Sequence, residues 1–296
     1  MRVRFGLALI ATAFLGAACT SPGEASSAED VGAAGFDSRA GSLGILQVER
    51  LGAADSFEAP PAQLGAAFAR YQGLSGDAVV RLLGGHPAGA IDACSASAAE
   101  HDGLASTEAS VELLDVGVID VHVGESEARL VPRTFPELAR VAAGFFYAGD
   151  AELGVLRPDV DVYNFRAEGS AELPPFEVAV PVPAELLEVR LDGVLVTETP
   201  ASALVVRERD LDVSWEGLDP RDQIEVEFAS SGGTVVCRVR DDGNFRVPAT
   251  ALAPLSRDEN ARLVMRRVRV QPFDAQGVDV AYVRLASTRV FDATIR

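Results

Sequence analysis

Between residues 176 and 295 the chain is a succession of short stretches in which apolar and polar residues alternate one by one. FEVAVPV, LEVRLDGVLV, LDVSW, QIEVEF and TVVCRVR follow one another with turn-forming residues between them. Alternation at period two sends successive side chains to opposite sides of an extended backbone, so one face can be buried while the other is solvated. Two longer stretches, ARLVMRRVRVQPF and VDVAYVRLASTRVF, close the chain with arginines alternating among apolar residues. Several strands at such spacing predict a sandwich of sheets.

The first half has the same texture, less sharply drawn. Strands are expected at 43–50, 62–71 and 116–123, the last continuing through Gly124 and Glu125 into ARLVPR as a hairpin. RVAAGFFYAG and DVDVYNFRAEG extend the pattern to residue 169. Residues 77–83 are ambiguous, because Ser75 can cap a two-turn helix that Gly84 ends. PATALAPL at 248–255 suits a single helical turn, and the run from Asp241 to Asn244 is a tight-turn signal between VVCRVR and FRV. Adjacent Pro174 and Pro175 stop ladder pairing and helix alike, so a hinge is expected at 172–175. The fold class is all-β: two β-sandwich-like domains, 43–170 and 175–296, after a signal peptide and a disordered linker.

The leader sets the destination. Arg2 and Arg4 precede an apolar core at residues 5–15. Eleven residues are too few for a spanning helix, which needs roughly twenty, so residues 1–18 read as a signal peptide. Gly16, Ala17 and Ala18 then lead directly to Cys19. This arrangement resembles the lipobox of bacterial lipoproteins, with Gly16 standing where the family usually has Leu. The resemblance implies that Cys19 becomes a lipidated N-terminus, and Thr20 after it implies the outer membrane rather than the inner. Residues 19–42, rich in Ser, Gly and Ala, make the flexible tether. In outline the chain resembles the uncharacterised lipoproteins of GC-rich Gram-negative bacteria, a resemblance that implies no activity.

The second half resembles immunoglobulin-like and fibronectin-like modules at one place. Trp215 ends DLDVSW, QIEVEF follows, and Cys237 lies a strand further on. The resemblance implies a core tryptophan, but antibody domains pair two cysteines within one domain and this half has one. Cys94 lies in a Gly/Ala-rich stretch near the surface, whereas Cys237 shares a face with Val235 and Val239. An oxidising compartment invites a disulfide between them, which would staple the two domains across a long range. Their α-carbons, however, are expected beyond the roughly 7 Å a disulfide spans, which favours two free thiols.

Chemistry is sparse. All 26 basic residues are arginines, against 44 acids, for a formal net charge of −18. Removing Arg2 and Arg4 with the leader takes this to −20, which argues against a nucleic-acid partner. Histidine occurs three times, as His86, His101 and His122. The first two lie in small-residue loops and the third is expected on a solvated strand face, so no catalytic trio is indicated. GLSGD at 73–77 has the wrong glycine placement for a nucleophile elbow. Asp210, Asp212, Asp219, Asp222, Asp241 and Asp242 gather near strand ends, where calcium is possible, although aspartate is also the ordinary turn residue. GFFY at 144–147 and Trp215 suit a core better than an exposed sugar-binding shelf. The expected function is a lipid-anchored binding or structural module of the cell envelope, with a protein or glycan partner and no required cofactor. The alternative is an envelope hydrolase with its site in the first domain.

Overall fold

The computed structural model describes residues 39–52, 61–85, 90–97, 109–138, 142–152, 156–158, 160–196, 203–216, 219–257 and 260–296. Cys19, most of the expected tether, His86 and His101 lie outside them. The fold is all-β. Its backbone is one eleven-stranded sheet. Numbered in chain order, its strands run β3 (Ala93–Ser97), β16 (Gly233–Arg240), β15 (Asp222–Ser230), β18 (Asn260–Pro272), β19 (Val280–Ile295), β1 (Ala40–Leu51), β2 (Pro61–Gln72), β4 (Ser110–Leu113), β8 (Ala142–Glu152) and β7 (Arg133–Leu138), with β13 (Ala203–Val205) pairing β19 from the side.

Two four-stranded sheets accompany it among the described residues. One runs β10 (Phe176–Pro181), β9 (Val162–Ala167), β5 (Ile119–Val123), β6 (Ser126–Leu130); the other runs β12 (Val194–Leu195), β11 (Leu187–Leu191), β14 (Leu211–Glu216), β17 (Asn244–Val247). The first covers a core that includes Leu46, Phe68, Val121, Phe165, Val180, Val283 and Leu285. The second covers a core that includes Val213, Trp215, Val226, Cys237, Met265, Phe291 and Ile295. Along β19 the residues of both cores carry odd numbers, so both small sheets sit on the same face of the large one. On the opposite face a helix, α1 (Gly76–Leu82), lays Val79 and Val80 against Ile45, Tyr71 and Tyr282. Ser75 caps it as expected, accepting from the Ala78 amide at 3.2 Å.

Three expectations need correction. The tether was expected to end at residue 42, but β1 begins at Ala40 and Ser42 is tied down, its amide and hydroxyl both donating to Asp279. The segment 172–175 does not separate two independent bodies. Leu173 is buried in the first core, β10 pairs back onto β9, and β1 pairs in parallel with β19, 237 residues away at Leu43 and Val280. The chain passes from one core to the other between Val182 and Leu186 instead. The turn after β16 forms where expected, but it carries the chain from the large sheet into the sheet of β17 rather than closing a hairpin.

The cysteines give the fourth correction. Cys94 and Cys237 are directly opposite on β3 and β16, with α-carbons 3.9 Å apart, and they form a disulfide. The expectation of free thiols rested on placing Cys94 in a separate domain. The chain instead returns Cys94 to the edge of the same sheet across a sequence separation of 143.

Between the cores the large sheet changes character. Along the core-facing side of β18, Ala261, Leu263 and Met265 give way to Arg267 and Arg269, and then to Gln271. Arg267 is fully buried. Its Nε lies 2.9 Å from Asp241 Oδ2, and its terminal nitrogens donate to the carbonyls of Glu185 (2.6 Å) and Glu216 (3.0 Å). Arg269 donates to both carboxylate oxygens of Asp222, to Asp219 and to the Pro181 carbonyl. The guanidinium fork suits this task, because its fixed donors can satisfy several acceptors at once. A layer of ion pairs on shared strands thus fastens both small sheets to the large one. Removing only one partner of such a buried pair is costly, since the other charge is left without compensation.

Candidate binding cleft

The six aspartates considered for calcium divide into two groups. Asp219, Asp222 and Asp241 meet at the layer between the cores, but arginines occupy their carboxylates. Asp241 also accepts from the Trp215 indole (2.6 Å) and from the Asp219 amide (3.0 Å). The Arg221 hydrogen bond holds the Asp219 carboxyl below the usual carboxylate range, helped by the charge of Arg269. Burial pushes Asp222 up to about 6 against the opposing pull of Arg269. Asp210 accepts from the Ala249 amide at the start of α2 (Ala249–Leu252), Asp212 pairs with Arg246, and Asp242 accepts from the Asn244 amide. Among the described residues no three side chains come together as a metal site. These aspartates bind arginines, turns and a helix start.

The catalytic candidates are likewise placed. His122 is exposed on β5, on the face it shares with Asp120, as the alternation predicts. Ser75, the serine of GLSGD, is engaged as a helix cap. Trp215 is 5% exposed and belongs to the second core. Tyr147 of GFFY is buried too, its hydroxyl accepting from the Val116 amide and donating to Asp115.

A cleft of about 470 Å³ lies at one end of the first sandwich, between the start of β10 and the loop joining β18 to β19. Its volume falls in the range of small-molecule sites. Phe176 and Phe273 line it, with ring centroids 5.3 Å apart, and Phe68 packs against Phe176 from the core at another 5.3 Å. The loop wall is held by the turn from Ala275 to Val278, with Gly277 at φ +90°, and by the bonds between Asp279 and Ser42. A side chain at Gly277 would be strained in that conformation and would crowd Leu173. Three carboxylates, Glu177, Asp274 and Asp279, line the cleft together with Gln276, and no basic residue does. Carboxylates and phenyl rings lining one cleft suit a positively charged group, which is attracted by both.

The sequence reading missed this site. Its elements, QPFDAQGVD and PPFEV, are far apart in sequence and look like a turn and a strand start. Asp274 and Gly277 are turn-forming residue types, but nothing in either segment announces the meeting with Phe176. No protein-family model matches the chain, and no curated protein does so either.

Proposed function

We propose that the protein is a lipid-anchored module of the bacterial cell envelope, held through Cys19 at the outer membrane, and that it binds a cationic group of a protein or glycan partner at the Phe176–Phe273 cleft. The observation that carries the envelope reading is the Cys94–Cys237 disulfide, because structural disulfides persist in oxidising compartments. The residue sequence LGAAC at 15–19 supplies the means of attachment. Trp215 and Cys237 in one core support an immunoglobulin-like reading of the second sandwich, although the disulfide partner lies on an added edge strand. The hydrolase reading gains nothing from His122 or Ser75, whose placements are solvent-facing and structural. In cells fed an alkyne-bearing fatty acid, the wild-type chain should carry label and sediment with the outer membrane. Cys19→Ser should lose both properties, and label persisting on that variant would overturn the reading.

A further inference from the structure

Edge strand β3 contributes little to the fold through its own side chains. Its sequence is Ala-Cys-Ser-Ala-Ser, of small residues with weak strand preference. Ser95 and Ala96 are exposed and Ala93 is half-buried, while Cys94 alone packs against the second core. The chain enters β3 through Asp92 in the left-handed region, at φ 59°. Beyond the backbone ladder, Asp92 at the entry to β3 accepts from the Arg240 amide at 3.3 Å and pairs with its guanidinium at 3.5 Å in solvent, and Ser95 Oγ contacts the Val236 carbonyl at 3.4 Å. Surface pairs of this kind are worth little.

The strand beneath is of the opposite kind. β16 carries Thr234, Val235, Val236, Cys237 and Arg238 opposite β3, a run rich in branched residues. It is also self-complementary. A two-fold antiparallel pairing centred on Val236 sets Val235 against Cys237 and Thr234 against Arg238 of the second copy. Directly opposite residues share a sheet face, so the core-facing set stays core-facing and no like charges meet. An uncovered edge of this kind is a template for pairing with another chain.

We propose that the Cys94–Cys237 disulfide is a latch that keeps β3 over a self-complementary sheet edge, and that opening it frees β3 and lets β16 pair with β16 of a second copy. Opening requires a dithiol reductant. Its thiolate attacks the sulfur of half-buried Cys94, forming a mixed disulfide and releasing the Cys237 sulfur, which takes a proton. The second thiol of the reductant then displaces Cys94, leaving two cysteine thiols and an oxidised dithiol. Only the edge is affected, because β15, β18 and β19 keep their own ladder and core.

The test uses the full chain with Cys19→Ser, with and without Cys94→Ser and Cys237→Ala, followed by sedimentation and amide exchange. The proposal expects the disulfide-intact chain to be monomeric and the latch variant to dimerise with concentration. Amides of residues 93–97 should exchange at least tenfold faster, with β18 and β19 unchanged. Treating the disulfide-intact chain with dithiothreitol should give the same result without substitution at either latch cysteine. A monomeric variant, or one whose β3 amides stay protected, would overturn the proposal. So would loss of protection throughout, because the disulfide would then be a staple of the whole fold.

Discussion

Arg267 on β18 and Asp241 at the end of β16 form an ion pair whose two side chains are both fully buried, at 2.9 Å, between two hydrophobic cores. The pair sits where β18 crosses from one sandwich to the other, and its further hydrogen bonds reach the segments that carry each small sheet. Replacing Arg267 with Met should cost about 3–5 kcal/mol, because Asp241 is left charged in the interior. The double variant Arg267→Met, Asp241→Asn should recover part of that loss in urea unfolding. A single variant as stable as the parent would show that the pair is dispensable.

Trp215 shares the same carboxylate. Trp215→Phe keeps most of the buried ring but removes the indole donor, which should cost about 1.5–3 kcal/mol for a bond to a charged group. Trp215→Ala should cost about 3–5 kcal/mol. Thermal melts of both variants give the order, and equal losses would place the whole effect in ring packing.

This layer was partly legible in the sequence. In β18, Arg267 and Arg269 share the parity of Leu263 and Met265; in β15 and β16, Asp222 and Asp241 share that of Val226 and Cys237. Opposite charges at core parity on neighbouring strands are the signal of a buried ionic layer. It was read as ordinary alternation, because strand order is not written in any single strand. Local features were easier: the Ser75 cap, the Gly124–Glu125 hairpin and the core position of Trp215 depend on residues close in sequence. The parallel β1–β19 pairing, the disulfide and the cleft each depend on segments far apart in sequence.

The carboxylates of the layer respond to pH in opposite directions. Asp222, raised to about 6, binds its proton more tightly in the folded state, so its contribution to stability falls as pH rises from about 4 to about 6. Asp219 is lowered, so its contribution is lost as pH falls through the acid range. Wild type should therefore lose stability relative to Asp222→Asn between pH 4 and pH 6 in chemical denaturation. A pH-independent difference would contradict the assignment.

Phe273 and Asp274 test the cleft. A fluorescent arginine-rich peptide should bind the wild-type chain with a salt-dependent affinity. Phe273→Ala and Asp274→Asn should each weaken it by about tenfold, the equivalent of 1.4 kcal/mol. Asp274→Asn should do so without changing the melting temperature by more than the surface substitution Glu125→Gln does, whereas Phe273→Ala also loses packing against Phe176 and the first core. Affinity unchanged in both variants would move the binding surface elsewhere.

Two cores hang on one shared sheet and are fastened by one layer of buried charge, an arrangement that makes the protein a single cooperative body. Scanning calorimetry of the disulfide-intact chain tests this most directly. The expected result is one transition whose calorimetric and van't Hoff enthalpies agree, shifted as a whole to lower temperature by Arg267→Met. Two separable transitions, only one of them moved by that substitution, would contradict it.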